Sequence, residues 1–91
     1  MKAVKKIIAT GQLRTLMQAH RELVRIRPSR DASSVAWLAY YQRSASVYAQ
    51  IAKIDPGHDG EALYWAARER LHARKIETRI RALGTGESTT T

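Results

Sequence analysis

The stretch ASSVAWLAYYQRSASVYAQIAKI, residues 32–54, decides the fold. Leu38, Tyr41, Ala45, Tyr48 and Ile51 recur at three- and four-residue intervals, the spacing that lines up one face of an α-helix. Trp37, Tyr40, Val47 and Ile54 widen that face beyond what one neighbour would cover. The segment therefore reads as a central helix with a partner on each side. Asp31 or Ser33 can supply the side-chain oxygen that caps its first turn.

On the amino-terminal side, Leu13, Leu16, Met17, His20, Leu23 and Val24 share a face, which predicts a helix from about residue 12. Pro28 forces Arg27 out of helical geometry and ends it. Arg25 and Arg27 fall in the last turn, where cations offset the helix dipole. On the other side, Asp55-Pro56-Gly57-His58-Asp59-Gly60 is a turn by composition. Either Asp55, with Pro56 at the first helical position, or Asp59 can cap the third helix. That helix covers about residues 60–83 on the stripe Ala62, Ala66, Glu69, Ala73, Ile76, Ile80 and Leu83. Gly84 is its expected left-handed stop. No strand-like alternation occurs, so the expected fold is all-α: a small three-helix bundle with a long C-terminal helix. A flexible basic arm (residues 1–10) precedes the helical domain (11–83), and a disordered polar tail (84–91) comes after it. The expected core is Leu16, Met17, Leu23, Trp37, Leu38, Tyr41, Ala45, Tyr48, Ile51, Ala62, Ala66 and Ile76.

Two resemblances rest on particular residues. Tyr48, Ile54-Asp55-Pro56 and Glu61-Ala62-Leu63-Tyr64 look like the junction between tetratricopeptide repeats. Ile51, however, stands where that repeat wants alanine, residues 33–54 contain no internal turn, and no second copy occurs at a 34-residue period. More of the chain, about residues 16–69, resembles a family of small uncharacterised actinomycete proteins. Trp37-Leu38, Val47-Tyr48-Ala49, Gly57-His58 and Glu61-Ala62-Leu63-Tyr64-Trp65-Ala66 carry that likeness. It implies a small helical protein of the bacterial cytosol and brings no catalytic residues with it.

Charge and aromatic residues divide the chain in the same way. All six aromatic residues lie between Trp37 and Trp65, and only Arg43 and Lys53 of the sixteen Lys and Arg fall within that stretch. The net charge of +8 therefore sits at the two ends, where a polyanion would feel it. With no cysteine, disulfides and thiolate metal sites are excluded. The apolar run at Ile7–Ala9 is too short for a signal-peptide core, and no stretch approaches the ~20 apolar residues that span a bilayer. The expectation is a cytoplasmic protein without membrane contact.

Catalytic chemistry has little to stand on. There is no HExxH, no calcium loop and no phosphate loop. Three histidines and eight acids do not mark a nucleophile with its base. His20 reads as a half-buried histidine with one hydrogen-bond partner, and His58, Asp59 and Glu61 as turn and cap residues. The aromatic residues read as one buried seam. No catalytic residue, metal ligand or cofactor is assigned.

The third helix carries the sharpest functional signal. Arg68, Lys75 and Arg79 flank its apolar stripe on one side, and Arg70, Arg74 and Arg81 on the other. The leading expectation is a non-enzymatic interaction module, an accessory or regulatory protein, whose stripe Ala73, Ile76, Ile80 and Leu83 meets a protein partner or a second copy of itself. The alternative is a nucleic-acid-binding protein that uses those six cations together with Lys2, Lys5 and Lys6 of the arm. The 55–60 turn is longer than the three or four residues of a helix-turn-helix motif.

Overall fold

The computed structural model describes residues 13–90, with side chains through residue 83. Helices α1 (Leu16–Arg25), α2 (Ser34–Ile54) and α3 (Asp59–Thr90) succeed one another, with a 3-10 turn at Pro56–His58. Among the described residues there is no strand, and the expected bundle with a long last helix forms. The arm at residues 1–10 lies outside the described residues.

Helix α1 starts later than its apolar pattern suggests because its cap is Thr15. The Thr15 hydroxyl accepts from the Gln18 amide at 3.1 Å, and the Gln18 side chain accepts from the Thr15 amide at 3.2 Å. This reciprocal box satisfies amides that a helix start otherwise leaves open. The next open amide, that of Leu16, donates to Asp55 Oδ2 at 2.9 Å. Asp55, one of the two residues the sequence offered as a cap for the third helix, therefore caps α1 across the fold instead. That bond, with a lesser contribution from His58, holds the Asp55 carboxyl below its usual range.

Ser33, not Asp31, caps α2, accepting from the Ala36 amide at 3.1 Å. The connector before it is pinned from both sides of Trp37: the indole donates to the Ser29 carbonyl at 3.2 Å, and the Arg27 guanidinium lies 5.3 Å over the ring. Helix α2 then runs unbroken to Ile54, without the internal turn of a tetratricopeptide unit. Helix α3 begins at Asp59, with Asp59 and Glu61 in its first turn, where acids suit the dipole. It continues through Gly84 to Thr90, and no described glycine has positive φ, so the stop and the unstructured tail expected from residue 84 are not seen. Gly costs a helix about 1 kcal/mol relative to Ala, less than Pro would, and does not by itself end one.

The antiparallel pair α2–α3 forms the body, and α1 lies on it. The core joins Leu16, Ala19 and Leu23 of α1 to Val47, Tyr48 and Ile51 of α2 and to Ala62 and Ala66 of α3. The small residues on α1 and α3 let three backbones approach one large aliphatic centre at Ile51. Ala19, which the sequence reading passed over, is fully buried. Met17, which it placed inside, is 64% exposed. One residue turns a helix by about 100°, so a stripe centred on Leu16, Ala19 and Leu23 carries Met17 outward. Trp37, Leu38, Tyr41 and Ile76 are half-buried instead of sealed.

Candidate functional site: a groove between the first and third helices

The expected buried aromatic seam is not what the helices build. Of the six aromatic side chains only Tyr48 is buried, and Tyr64 is exposed. Tyr40, Tyr41, Tyr48 and Trp65 instead line a groove of about 300 Å³. Helix α2 forms its floor, α1 contributes His20, Val24 and Arg27, and α3 contributes Arg68, Glu69 and His72.

One end of the groove is closed by His20, Tyr48 and Trp65. His20 Nδ1 lies 2.7 Å from the Tyr48 hydroxyl, which donates when the imidazole carries its proton on Nε2 and accepts when Nδ1 is protonated. The Tyr48 and Trp65 rings stack at 6.0 Å, and the His20 ring meets Trp65 edge-on at 5.2 Å. The other end is closed by Tyr41 and His72, stacked at 4.9 Å with planes 21° apart. Between them Tyr40 donates its hydroxyl proton to the Leu23 carbonyl at 2.9 Å, tying α2 to α1.

Two polar groups sit at the bottom. Ser44 is 1% exposed, and its hydroxyl makes no hydrogen bond of normal geometry, although it reaches toward the Tyr40 oxygen. Glu69 is 6% exposed, and its ion-pair partner is the adjacent Arg68 at 3.1 Å. Arg68 also lies 5.3 Å over the Trp65 ring. Burial pushes the Tyr48 phenol up to about 12, with the Glu69 charge adding to the effect. Burial, opposed by Ser44 and reinforced by Glu69, also raises Tyr40. Both phenols are therefore proton donors at neutral pH.

Sequence reasoning placed Glu69 on the third helix's stripe and gave His20 a single partner, and the structure agrees on both. It did not find the grouping of Ser44, Glu69 and His72. The signal was there: Ser44 falls three residues after Tyr41 and four before Tyr48, and Glu69 falls between Ala66 and Ala73. Each is a polar residue in a position reserved for apolar ones. His58 stands apart, its Nδ1 3.1 Å from Asp55. Among the described residues no three His, Asp or Glu side chains converge as metal ligands would. Ser44 is hydrogen-bonded to neither groove histidine, so the hydroxyl is not paired with a base.

The surface residues singled out on α3 separate. Ala73 is buried by the chain itself and is not available to a partner, a correction to the expected contact stripe. Ile76 and Ile80 are half-buried, and Leu83 is 68% exposed. Arg68 is drawn to Glu69 and Trp65, and Arg81 lies 3.5 Å from Glu77. Arg70, Arg74, Lys75 and Arg79 are exposed and form no ion pair with a described carboxylate. Lys2, Lys5 and Lys6 lie outside the described residues. A second depression of about 560 Å³ beside Tyr40, bounded by Ile26, Pro28, Ala36 and Ala39, has no buried polar side chain. No helix among the described residues is long and apolar enough to cross a membrane. Comparison with protein-family models, curated proteins and solved structures gives no match to this chain.

Proposed function

We propose that this chain is a non-enzymatic helical interaction module, an accessory or regulatory protein that pairs with a second copy of itself or with a protein partner. The observation behind this reading is the far end of α3. That helix has 32 residues against 21 in α2, so α2 cannot cover its last turns. Ile76, Ile80 and Leu83 succeed one another at helical spacing into the uncovered part. Burying a fully exposed aliphatic side chain of this size is worth ~1.5–3 kcal/mol, and a matching stripe would bury Leu83 together with the parts of Ile76 and Ile80 that the chain leaves exposed. The cysteine-free composition suits the cytoplasm, and the likeness carried by Trp37-Leu38 and Glu61–Ala66 suits a small actinomycete protein.

A second reading is favoured by Arg70, Arg74, Lys75 and Arg79, four exposed cations on one helix of a protein of net charge +8. These would contact the phosphates of a nucleic acid. The two readings respond oppositely to salt. Apolar pairing persists or strengthens, whereas phosphate binding weakens with a slope near −0.9 per phosphate contacted. Sedimentation at low and high salt, with and without a random DNA duplex, separates them. Ile76→Asp with Ile80→Asp should abolish pairing and spare DNA binding. Arg70→Ser, Arg74→Ser and Arg81→Ser together should do the reverse. A chain that stays monomeric at every concentration and salt overturns self-pairing and leaves a different protein as the partner of the stripe.

A further inference from the structure

We propose that the groove between α1 and α3 binds a guanine nucleotide: a planar ring with paired N–H donors, carrying an anionic phosphate. The proposal stands on the groove's chemistry and not on the far end of α3. Ser44 and Glu69 are both more than nine-tenths buried at its floor, Ser44 without a hydrogen bond of normal geometry and Glu69 with a single partner. Buried polar groups are nearly always satisfied, so a pair left short in one groove points to something that completes them. The volume of about 300 Å³ lies at the lower end of small-molecule sites, suiting one nucleotide better than a larger ligand.

The walls and the charges define the ligand. The groove is walled by half-buried rings, Trp65 at one end and Tyr41 with His72 at the other, and a flat ring can lie against the parts of them that their stacking partners leave uncovered. Such rings would also suit a quaternary ammonium ion. Against that, Arg27 and Arg68 both line the groove, and Arg68 already neutralises the one carboxylate there. A cation would meet two guanidiniums, whereas an anionic substituent would be held by them. The Glu69 carboxylate only accepts hydrogen bonds. It therefore selects a ring edge with two adjacent donors, which guanine presents at its N1 and 2-amino positions. The neighbouring carbonyl of guanine can accept from the Ser44 hydroxyl. Adenine sets a ring-nitrogen acceptor beside its amino group, and that acceptor would oppose the carboxylate.

Titration of a Trp37→Phe variant, in which Trp65 is the one tryptophan, with GMP, AMP and choline tests the proposal by fluorescence and calorimetry. GMP is expected to bind saturably and stoichiometrically, AMP at least tenfold more weakly, and choline not at all. Glu69→Gln and Ser44→Ala should each weaken GMP roughly ten- to hundredfold, as loss of a hydrogen bond to a charged or buried group does. Should Glu69→Gln fail to fold by circular dichroism, Arg27→Ser at the exposed rim decides instead: GMP should weaken while phosphate-free guanosine is unaffected. Replacing Arg70, Arg74 and Arg81 with Ser should leave GMP binding intact. Absence of saturable GMP binding by the folded chain, equal affinity for AMP, tighter binding of choline, or loss of GMP binding in the Arg70/Arg74/Arg81 variant would each overturn it.

Discussion

Helices α2 and α3 pack against each other along two consecutive stretches that are filled in opposite ways. Beside the Pro56 turn, Val47 and Ile51 meet Ala62 and Ala66, with Leu16 and Ala19 closing the third side. Two turns further on, Tyr41 and Ser44 face Glu69 and His72 across a groove. The helical repeat is the same in both places. The difference is that aliphatic and small side chains interlock until no space remains, whereas rigid rings that stack in pairs leave a gap between one pair and the next. The first stretch holds the fold together, and the second gives up tight packing for a surface that can receive something.

The severest way to break this contrast is to hollow out the sealed stretch. Ile51→Ala should cost about 2–5 kcal/mol, the usual range for emptying a closed aliphatic site. A domain of this size has about 5–15 kcal/mol in all, so thermal melts followed by circular dichroism should show a fall of roughly 10 °C or more. A loss no larger than that from Tyr41→Ala would mean that the two stretches contribute alike.

Ser44→Ala tests the groove from the opposite direction. Removing a buried hydroxyl that lacks a good partner should leave stability unchanged or raise it by about 1 kcal/mol, read from the same melts. A fall of that size would make Ser44 a structural residue and the groove an ordinary part of the core.

Tyr40→Phe lies between these cases, because the ring stays and only the bond to the Leu23 carbonyl is lost. A cost of about 1 kcal/mol is expected, roughly 4–8 °C in the melting temperature.

Proton titration should have the mildest effect, and it differs at the two ends of the pH scale. Tyr48 is raised to about 12, so its contribution is complete below pH 10 and disappears as pH climbs from about 10 to 12. Asp55 is depressed, so its contribution is present above the ordinary carboxylate pKa and is lost as pH falls through its lowered folded value. Denaturation midpoints across pH should therefore decline on both limbs. Asp55→Asn should flatten the acid limb alone, and Tyr48→Phe the alkaline limb alone.

The three helices and their order were legible in the sequence because periodicity, Pro28 and the Asp55–Gly60 turn are local signals, whereas the end of the last helix was placed at residue 83 and lies at Thr90. The positions of Leu16, Leu23, Tyr48, Ile51, Ala62 and Ala66 in the core were legible for the same reason. Tertiary choices were not. Asp55 sits beside α3 in the chain yet serves α1, and nothing within a few residues of it announces that partner. Trp37 and Tyr41 read as interior because they are large and apolar, but α1 is only ten residues long and cannot roof the whole of α2. Ser44 and Glu69 were visible as polar residues on apolar faces, but their meeting depends on how two helices align, which neither helix encodes alone.

The clamp on the first helix also bears on the order of events during synthesis. The carboxylate that grips the Leu16 amide is made 39 residues later, so the first helix is synthesised well before its fastener exists. Ten residues cannot hold a helix on their own in water. The nascent segment should stay loose until the Pro56 bend has emerged and then lock down together with the hairpin, so the beginning of the chain is finished last.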